Sequence, residues 1–189
     1  MNYKHRRLLD KYKILQLLLL SPLLLSFPLL NNPEVKAGLE FQWDQQSGYR
    51  RLKWFQRDSK KRARNSIFFF LRPSDRKASL LRITLNIPKT FKSTLKEEKI
   101  SFCKVKIGGF ETRTKCIEEI ESDIKLSEDK TSLDIFPYSP VPKNKDSYAI
   151  VFKVFNPKRT GLYQFHTYGQ YVGSDSVSSY LGSATILID

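Results

Sequence analysis

The stretch Leu81-Arg82-Ile83-Thr84-Leu85-Asn86-Ile87-Pro88, LRITLNIP in one-letter code, decides the fold class of this 189-residue sequence. Its apolar residues alternate with polar ones at a period of two, which is the signature of a strand with one buried face. The pattern predicts that Leu81, Ile83, Leu85 and Ile87 share that face. Pro88 ends the run, because proline cannot donate a hydrogen bond to a neighbouring strand.

Segments of similar composition recur along the chain at short intervals. They are rich in β-branched and aromatic residues, and stretches of turn-forming residues separate them. The predicted strands include Ile67–Leu71, Leu133–Phe136, Tyr148–Phe155, Leu162–Tyr168 and Tyr180–Ile188. Residues 117–123 and 92–99 are the stretches that could form short helices. Strands without alternating helices favour an all-β fold, an antiparallel two-sheet β-sandwich of the immunoglobulin-like class.

The first 37 residues have the layout of a secretory signal peptide. Several Lys and Arg precede a leucine-rich apolar stretch, and a polar segment then leads to Val35-Lys36-Ala37, with small residues where signal peptidase cleaves. We predict a signal helix in residues 1–37, cleavage after Ala37 and a single β-sandwich domain in residues 38–189. An uncleaved membrane anchor is the alternative, although two prolines within the apolar stretch disfavour a spanning helix. Both interpretations place the domain outside the cytoplasm, in the periplasm, the cell envelope or a thylakoid lumen.

The predicted mature chain contains two cysteines, Cys103 and Cys116. In an oxidising compartment such a pair predicts a disulfide; two buried free thiols are the alternative. The residues between them read as two strands around a Gly108-Gly109 turn. A two-residue loop would leave the cysteines diagonal and too far apart, whereas a four-residue loop, residues 108–111, would place them directly opposite. The disulfide therefore predicts the four-residue loop.

Positive charge is concentrated in one segment of the sequence, whose formal net charge is +14 at pH 7. Residues 50–82 contain twelve Lys or Arg and two Asp, whereas the rest of residues 38–189 contains fifteen bases and fifteen acids. Lys60-Lys61-Arg62-Ala63-Arg64 lies at the centre of this segment and is predicted to form a loop between two strands at a sheet edge. The alternative is that these charges only keep an edge strand soluble.

A basic loop of this kind predicts binding to a polyanion with strong salt dependence. Export disfavours nucleic acid as the partner, so an anionic lipid, an acidic polysaccharide or an acidic protein is predicted. The candidate contact residues are Arg57, Lys60, Lys61, Arg62 and Arg64.

The sequence offers few residues for catalysis. His166 is the one histidine outside the predicted signal, and no spacing typical of zinc or calcium ligands occurs, so neither metal nor cofactor is predicted. We predict a non-enzymatic protein. The alternatives are a carboxylate-dependent hydrolase of envelope glycans and a structural subunit that pairs by strand addition. The acidic cluster that could serve such a hydrolase is Glu118, Glu119, Glu121 and Asp123.

The C-terminal third of the chain resembles a known family. Asn156-Pro157, Gly161-Leu162-Tyr163-Gln164-Phe165 and Gly169-Gln170-Tyr171-Val172-Gly173 resemble the motifs that close the cyanobacterial domain-of-unknown-function family 2808. Residues 81–88 resemble that family's strand ending in proline. The resemblance covers roughly residues 65–188 and implies an exported β-sandwich of a cyanobacterium. Because the family has no assigned activity, the resemblance implies no catalytic residue.

Overall fold

The computed structural model of the protein describes residues 48–174 and 177–189. These residues form ten strands and two short 3-10 turns, Pro73–Asp75 and Glu97–Lys99. The strands are β1 (Trp54–Gln56), β2 (Arg64–Leu71), β3 (Leu80–Asn86), β4 (Ile100–Lys106), β5 (Lys115–Glu119), β6 (Ser122–Leu126), β7 (Ser132–Pro137), β8 (Tyr148–Phe155), β9 (Gly161–Tyr171) and β10 (Ser178–Ile188). The predicted signal peptide and its cleavage site after Ala37 lie outside the described residues. No helix in the described part of the chain is long and apolar enough to cross a membrane.

The strands form two five-stranded antiparallel sheets, which confirms the predicted all-β, immunoglobulin-like sandwich. Sheet 1 has the order β1-β2-β8-β4-β5, and sheet 2 has the order β10-β9-β3-β7-β6. At one side the sheets are joined by hydrogen bonds, in which the Leu52 amide donates to the Ser183 carbonyl over 2.9 Å and the Ser183 amide donates to the Arg50 carbonyl over 2.7 Å. At the other side the chain passes directly from β5 in sheet 1 to β6 in sheet 2.

The main core lies between the two sheets and is built on aromatic rings. Phe69 of sheet 1 contacts Phe165 of sheet 2, with ring centroids 4.8 Å apart, and Phe152 lies 5.3 Å from Phe69. Every buried residue that the structure describes in this core lies between Leu52 and Ile188. The domain therefore contains its own core.

The buried face of β3 differs by one residue from the prediction. Ile83 and Leu85 are fully buried as predicted, but Leu81 is 39% exposed and Leu80 takes its place in the core. The cause is a register shift between Leu80 and Arg82 where β3 pairs with β9. An extra residue at a bulge reverses the alternation on one side of it, and a period-two pattern cannot predict this.

The predicted helix at residues 117–123 is wrong. These residues belong to β5 and β6, which pair with β4 and β7. Of residues 92–99, only Glu97–Lys99 form a 3-10 turn, and residues 92–96 form neither helix nor strand. The glutamates favour a helix locally, but pairing with a neighbouring strand overrides this weak preference.

Sheet 1 carries buried apolar side chains on both faces. Side chains that point away from the main core form a second apolar cluster on its outer face. Its buried members are Phe68, Phe70, Cys103, Val105, Ala149 and Val151. Ile107 packs against this cluster, and the ring of Phe55 lies 5.9 Å from that of Phe68. The apolar part of the outer face is therefore covered by the loop at residues 107–114, which we call the covering loop and which shares a depression with Phe55.

The Cys103–Cys116 disulfide ties the covering loop to sheet 1, which confirms the predicted bond. The predicted loop length and register are wrong, because the loop has eight residues and Cys116 pairs with Val105, whereas Cys103 pairs with Glu119. A bulge places Ile117 as an extra residue in β5. The cysteines are therefore diagonal neighbours, but their Cα atoms are only 5.7 Å apart, within the range that a disulfide spans.

One base of the segment 50–82 belongs to the interior. Arg76 is buried, its guanidinium donates to the carbonyls of Leu71 and Asp146, and it lies 4.8 Å above the ring of Tyr148. Burial lowers the pKa of Arg76 from its ordinary value, although Tyr148 and nearby carboxylates oppose this effect. Arginine nonetheless stays protonated in proteins, so Arg76 is a buried cation that holds backbone carbonyls.

Replacing Arg76 by Met should lower the free energy of unfolding by about 2–3 kcal/mol, because it leaves buried carbonyls without a donor. Urea denaturation followed by circular dichroism measures this loss. Arg82→Met is the matched control, since Arg82 is partly exposed and pairs with Asp134; it should cost less than about 1 kcal/mol. Equal losses in the two variants would contradict the structural role of Arg76.

Replacing both Cys103 and Cys116 by Ala should lower the free energy of unfolding by about 3 kcal/mol, because the bond closes a loop of 13 residues in the unfolded chain. The same urea titration measures the change. A thiol assay on the unreduced, denatured parent chain should detect no free thiol. Two reactive thiols would show that the bond is not formed.

Candidate anion-binding surface

The predicted basic loop connects β1 to β2. The two strands pair antiparallel, with Trp54 opposite Phe69 and Gln56 opposite Ile67, and β1 is an edge strand of sheet 1. The loop thus lies at the sheet edge, as the sequence predicts. All five candidate contact residues are exposed.

Two buried asparagines hold this loop in place. The Asn65 side-chain oxygen accepts hydrogen bonds from the amides of Arg57 and Asp58 over 3.0 and 3.1 Å. The Asn156 side-chain amide donates to the carbonyls of Asp58 and Lys60, and the two asparagines hydrogen bond to each other over 2.9 Å. Asn156 is the first residue of the Asn-Pro motif noted in the sequence, so this motif has a structural role at the basic loop.

The turn after Asn156 and the chain before β4 bring further bases to this end of the sandwich. The Arg62 amide donates to the Pro157 carbonyl over 3.3 Å, which places the β8–β9 turn against the basic loop. That turn shares a depression of about 520 Å³ with the chain around residue 90. We call the bases gathered here the basic end: Arg57, Lys60, Lys61, Arg62, Arg64, Lys89, Lys92, Lys96, Lys99, Lys153, Lys158 and Arg159.

Acidic side chains neutralise little of the basic end. Within residues 48–174 and 177–189, only Lys96 of this set is in an ion pair, with Glu98 at 3.7 Å. Asp58 accepts a hydrogen bond from the Lys60 amide, and Glu97 accepts one from the Leu126 amide. Neither of these two carboxylates forms an ion pair with a base of the basic end among the described residues, so those cationic side chains remain available to a ligand.

A groove runs from the basic end along the outer face of sheet 1. It consists of two depressions of about 420 and 490 Å³ that share Ser66, Lys99 and Lys153. Ser66 and Lys153 are cross-strand partners on β2 and β8, and Arg64 and Phe155 are the next outward-facing pair. The Arg64 guanidinium lies 5.7 Å from the centre of the half-exposed Phe155 ring. The groove therefore combines cations, hydroxyl groups and one aromatic face.

The structure divides the predicted contact residues between two places. Arg57 and Arg64 line the groove, whereas Lys60, Lys61 and Arg62 lie on the exposed turn of the loop. Lys99 and Lys153 were missed by the sequence analysis. Lys153 could have been found from the sequence, because it is the one charged residue of an otherwise apolar strand, Tyr148–Phe155.

The basic segment of residues 50–82 is not one surface. Arg76 is buried, as described above, while Arg72 pairs with Asp75 and Arg82 pairs with Asp134. The cationic surface instead includes bases from distant parts of the sequence. A count of charges along the chain does not reveal them, because acidic residues elsewhere balance them.

The acidic cluster considered for a hydrolase does not converge. Glu118 pairs with Lys104 across β4 and β5, next to Glu119, whose side chain points to the opposite face. Asp123 forms an ion pair with Lys125 over 3.0 Å. Glu119 lines the groove together with Glu98, but four basic side chains, those of Arg57, Lys99, Lys115 and Lys153, line the same depression.

His166 lies against two hydroxyl groups. Its Nδ1 is 2.6 Å from Ser183 Oγ, which is also 2.6 Å from the Tyr180 hydroxyl oxygen. Ser183 is completely buried beneath the chain at Arg50, so a substrate cannot reach this hydroxyl. Among the described residues no group of three or more His, Cys, Asp or Glu is arranged to hold a metal ion.

A family model described as "Protein of unknown function (DUF2808)" matches residues 44–188. The chain belongs to this family. The match includes the Asn156-Pro157 motif and the whole DUF2808 sandwich from β1 to β10. No curated protein matches the sequence.

Solved structures resemble the DUF2808 domain at low sequence identity. BslA, a bacterial hydrophobin, is 13% identical over 74% of this chain and 97% of its own, with a TM-score of 0.47. The collagen-binding domain of a Staphylococcus aureus adhesin is 12% identical over 71% of this chain and 95% of its own, with a TM-score of 0.40. The collagen-binding subdomain of the Enterococcus faecalis surface protein ACE is 8% identical over 74% and 97%, with a TM-score of 0.40. Likenesses at this level carry no argument about function.

Proposed function

We propose that this protein is an exported, non-enzymatic β-sandwich that binds an anionic component of the cell envelope or of a membrane surface through its basic end and groove. The observation that carries this proposal is the convergence of twelve bases from separate chain segments on one end of the domain. Several of these bases lie outside residues 50–82, where the positive and negative charges of the predicted mature chain are equal in number. It is therefore the fold that brings them together. A cationic surface of this kind attracts polyanions and releases them at high salt.

The groove supports binding more than catalysis. Its floor is the face of a sheet, and its charged side chains are mostly cations that would hold phosphate, sulfate or carboxylate groups. Hydroxyls of Ser66, Ser101 and Thr94 could hydrogen bond to the same ligand, and the ring of Phe155 offers an apolar contact. A hydrolase would need two carboxylates free to act as acid and base, whereas Glu98 already pairs with Lys96.

The disulfide is consistent with the proposed export, because such bonds persist in oxidising compartments. Strand addition to a partner has less support. Edge strand β5 of sheet 1 carries a bulge and several charged residues, and edge strand β6 of sheet 2 carries Asp123 and Lys125; such features protect an edge from pairing.

Replacing Lys60, Lys61, Arg62 and Arg64 together by Ser should abolish retention of the chain from Gly38 onward on anionic liposomes or acidic polysaccharide at low salt. Retention of the parent chain should decrease as salt is added, because exposed charges are screened within a Debye length. Co-sedimentation measures both effects. Unchanged retention of the variant would rule out the basic loop as a contact.

The groove is tested separately by Lys99→Ser with Lys153→Ser. If each cation contributes about 1 kcal/mol near an anionic surface, this double variant should bind roughly 30-fold more weakly. Lys143→Ser with Lys145→Ser removes the same charge at the opposite end of β8, before Tyr148, and should bind like the parent chain. Equal losses in the two double variants would show that only net charge matters and would contradict a defined surface.

A further inference from the structure

The covering loop presents one large apolar side chain to solvent. Phe110 lies in this loop and its side chain is fully exposed, more than that of any other large apolar residue in the described chain. Exposing a phenyl ring to water is unfavourable, and the ring gains stability in any apolar environment that it can enter. Folding of the domain does not supply that environment.

The exposure of Phe110 is a consequence of a well-defined loop. The disulfide closes a ring that contains the whole covering loop. Within the loop the Gly109 amide donates to the Thr112 carbonyl and the Gly108 amide donates to the Thr114 hydroxyl, both over 3.0 Å. A Cβ atom at Gly108 would lie 2.5 Å from the Thr112 carbonyl oxygen, so only glycine fits there. These contacts hold Phe110 away from the sheet.

Cations surround the base of the covering loop. Arg57 and Arg113 line the depression between the loop and β1, and Arg57 also lines the groove described above. Lys115 follows the loop and lines the groove together with Arg57. Glu111 is the single acid of the loop. The covering loop thus carries an exposed aromatic ring, and cations line the depressions beside the loop.

We propose that the outer face of sheet 1 docks on an anionic lipid bilayer and that Phe110 inserts between the lipids at the interface. Aromatic rings are favoured at the boundary between headgroups and acyl chains, and surrounding Lys and Arg attract anionic headgroups. A polysaccharide lying in the groove would leave the projecting ring in water, which favours the bilayer as the partner. The electrostatic part of this docking rests on the proposed function; the insertion of Phe110 does not.

The test uses the chain from Gly38 onward, which contains both apolar clusters, and vesicles of phosphatidylglycerol and phosphatidylcholine in equal amounts. Phe110→Ser should lower the partition into these vesicles roughly tenfold or more, because it removes the inserted ring. Phe110→Leu should retain most of the binding. Leu162→Ser is the matched control, since Leu162 is 71% exposed on the outer face of sheet 2, and it should bind like the parent chain.

A second variant reports the position of the ring directly. In Phe110→Trp the fluorescence of the added indole should shift to shorter wavelength on anionic vesicles, and lipids brominated near the headgroups should quench it. The spectrum of the parent chain, with Trp43 and Trp54, is subtracted. An indole that stays solvent-exposed while the protein is bound would overturn the insertion.

The outcomes separate the two proposals. If Phe110→Ser binds like the parent chain while the charge variants lose binding, the insertion is wrong and the anionic surface stands. If the parent chain binds acidic polysaccharide but not vesicles, the bilayer is likewise wrong as the partner and the proposed function stands. If it binds neither, both proposals fail. Unchanged cooperative unfolding of each variant ensures that a loss of binding is not a loss of fold.

Discussion

The Cys103–Cys116 disulfide is the constraint on which the rest of the structure depends. Sheet 1 carries apolar side chains on both faces, and the main core covers only one of them. The apolar half of the other face is buried because the covering loop lies across the sheet, where its residues line one depression with Phe55 of the far edge strand and with Arg57 of the basic loop. Since the bond joins β4 to β5 below this loop, it closes a ring that limits how far the loop can move from the outer face.

The outer face changes character along its strands, and this change links the fold to the proposed site. On paired positions of β2 and β8, Phe70 opposite Ala149 and Phe68 opposite Val151 belong to the second cluster. The next outward pair, Ser66 and Lys153, opens into the groove. The covering loop therefore buries the apolar half of the face and leaves the polar half accessible. One disulfide-bonded loop shapes the groove and presents Phe110.

The sequence predicted the fold class, the main strands and the disulfide, because each depends on local patterns such as the alternation at residues 81–88. It did not predict the second covered face, although the uninterrupted apolar run Ile67–Leu71 is typical of a strand buried on both sides. Bulges at Leu81 and Ile117 shifted two registers, since a bulge depends on tertiary pairing. Lys99 and Lys153 were missed because only the strand order brings them beside Arg64.

The most direct test of the central claim is amide hydrogen exchange of the chain from Gly38 onward, with and without anionic vesicles. We predict that added protection is largest in the basic loop and the covering loop and that the amides of β9 and β10 exchange as before. Protection concentrated on sheet 2, or none at all under conditions where the protein sediments with the vesicles, would contradict the account.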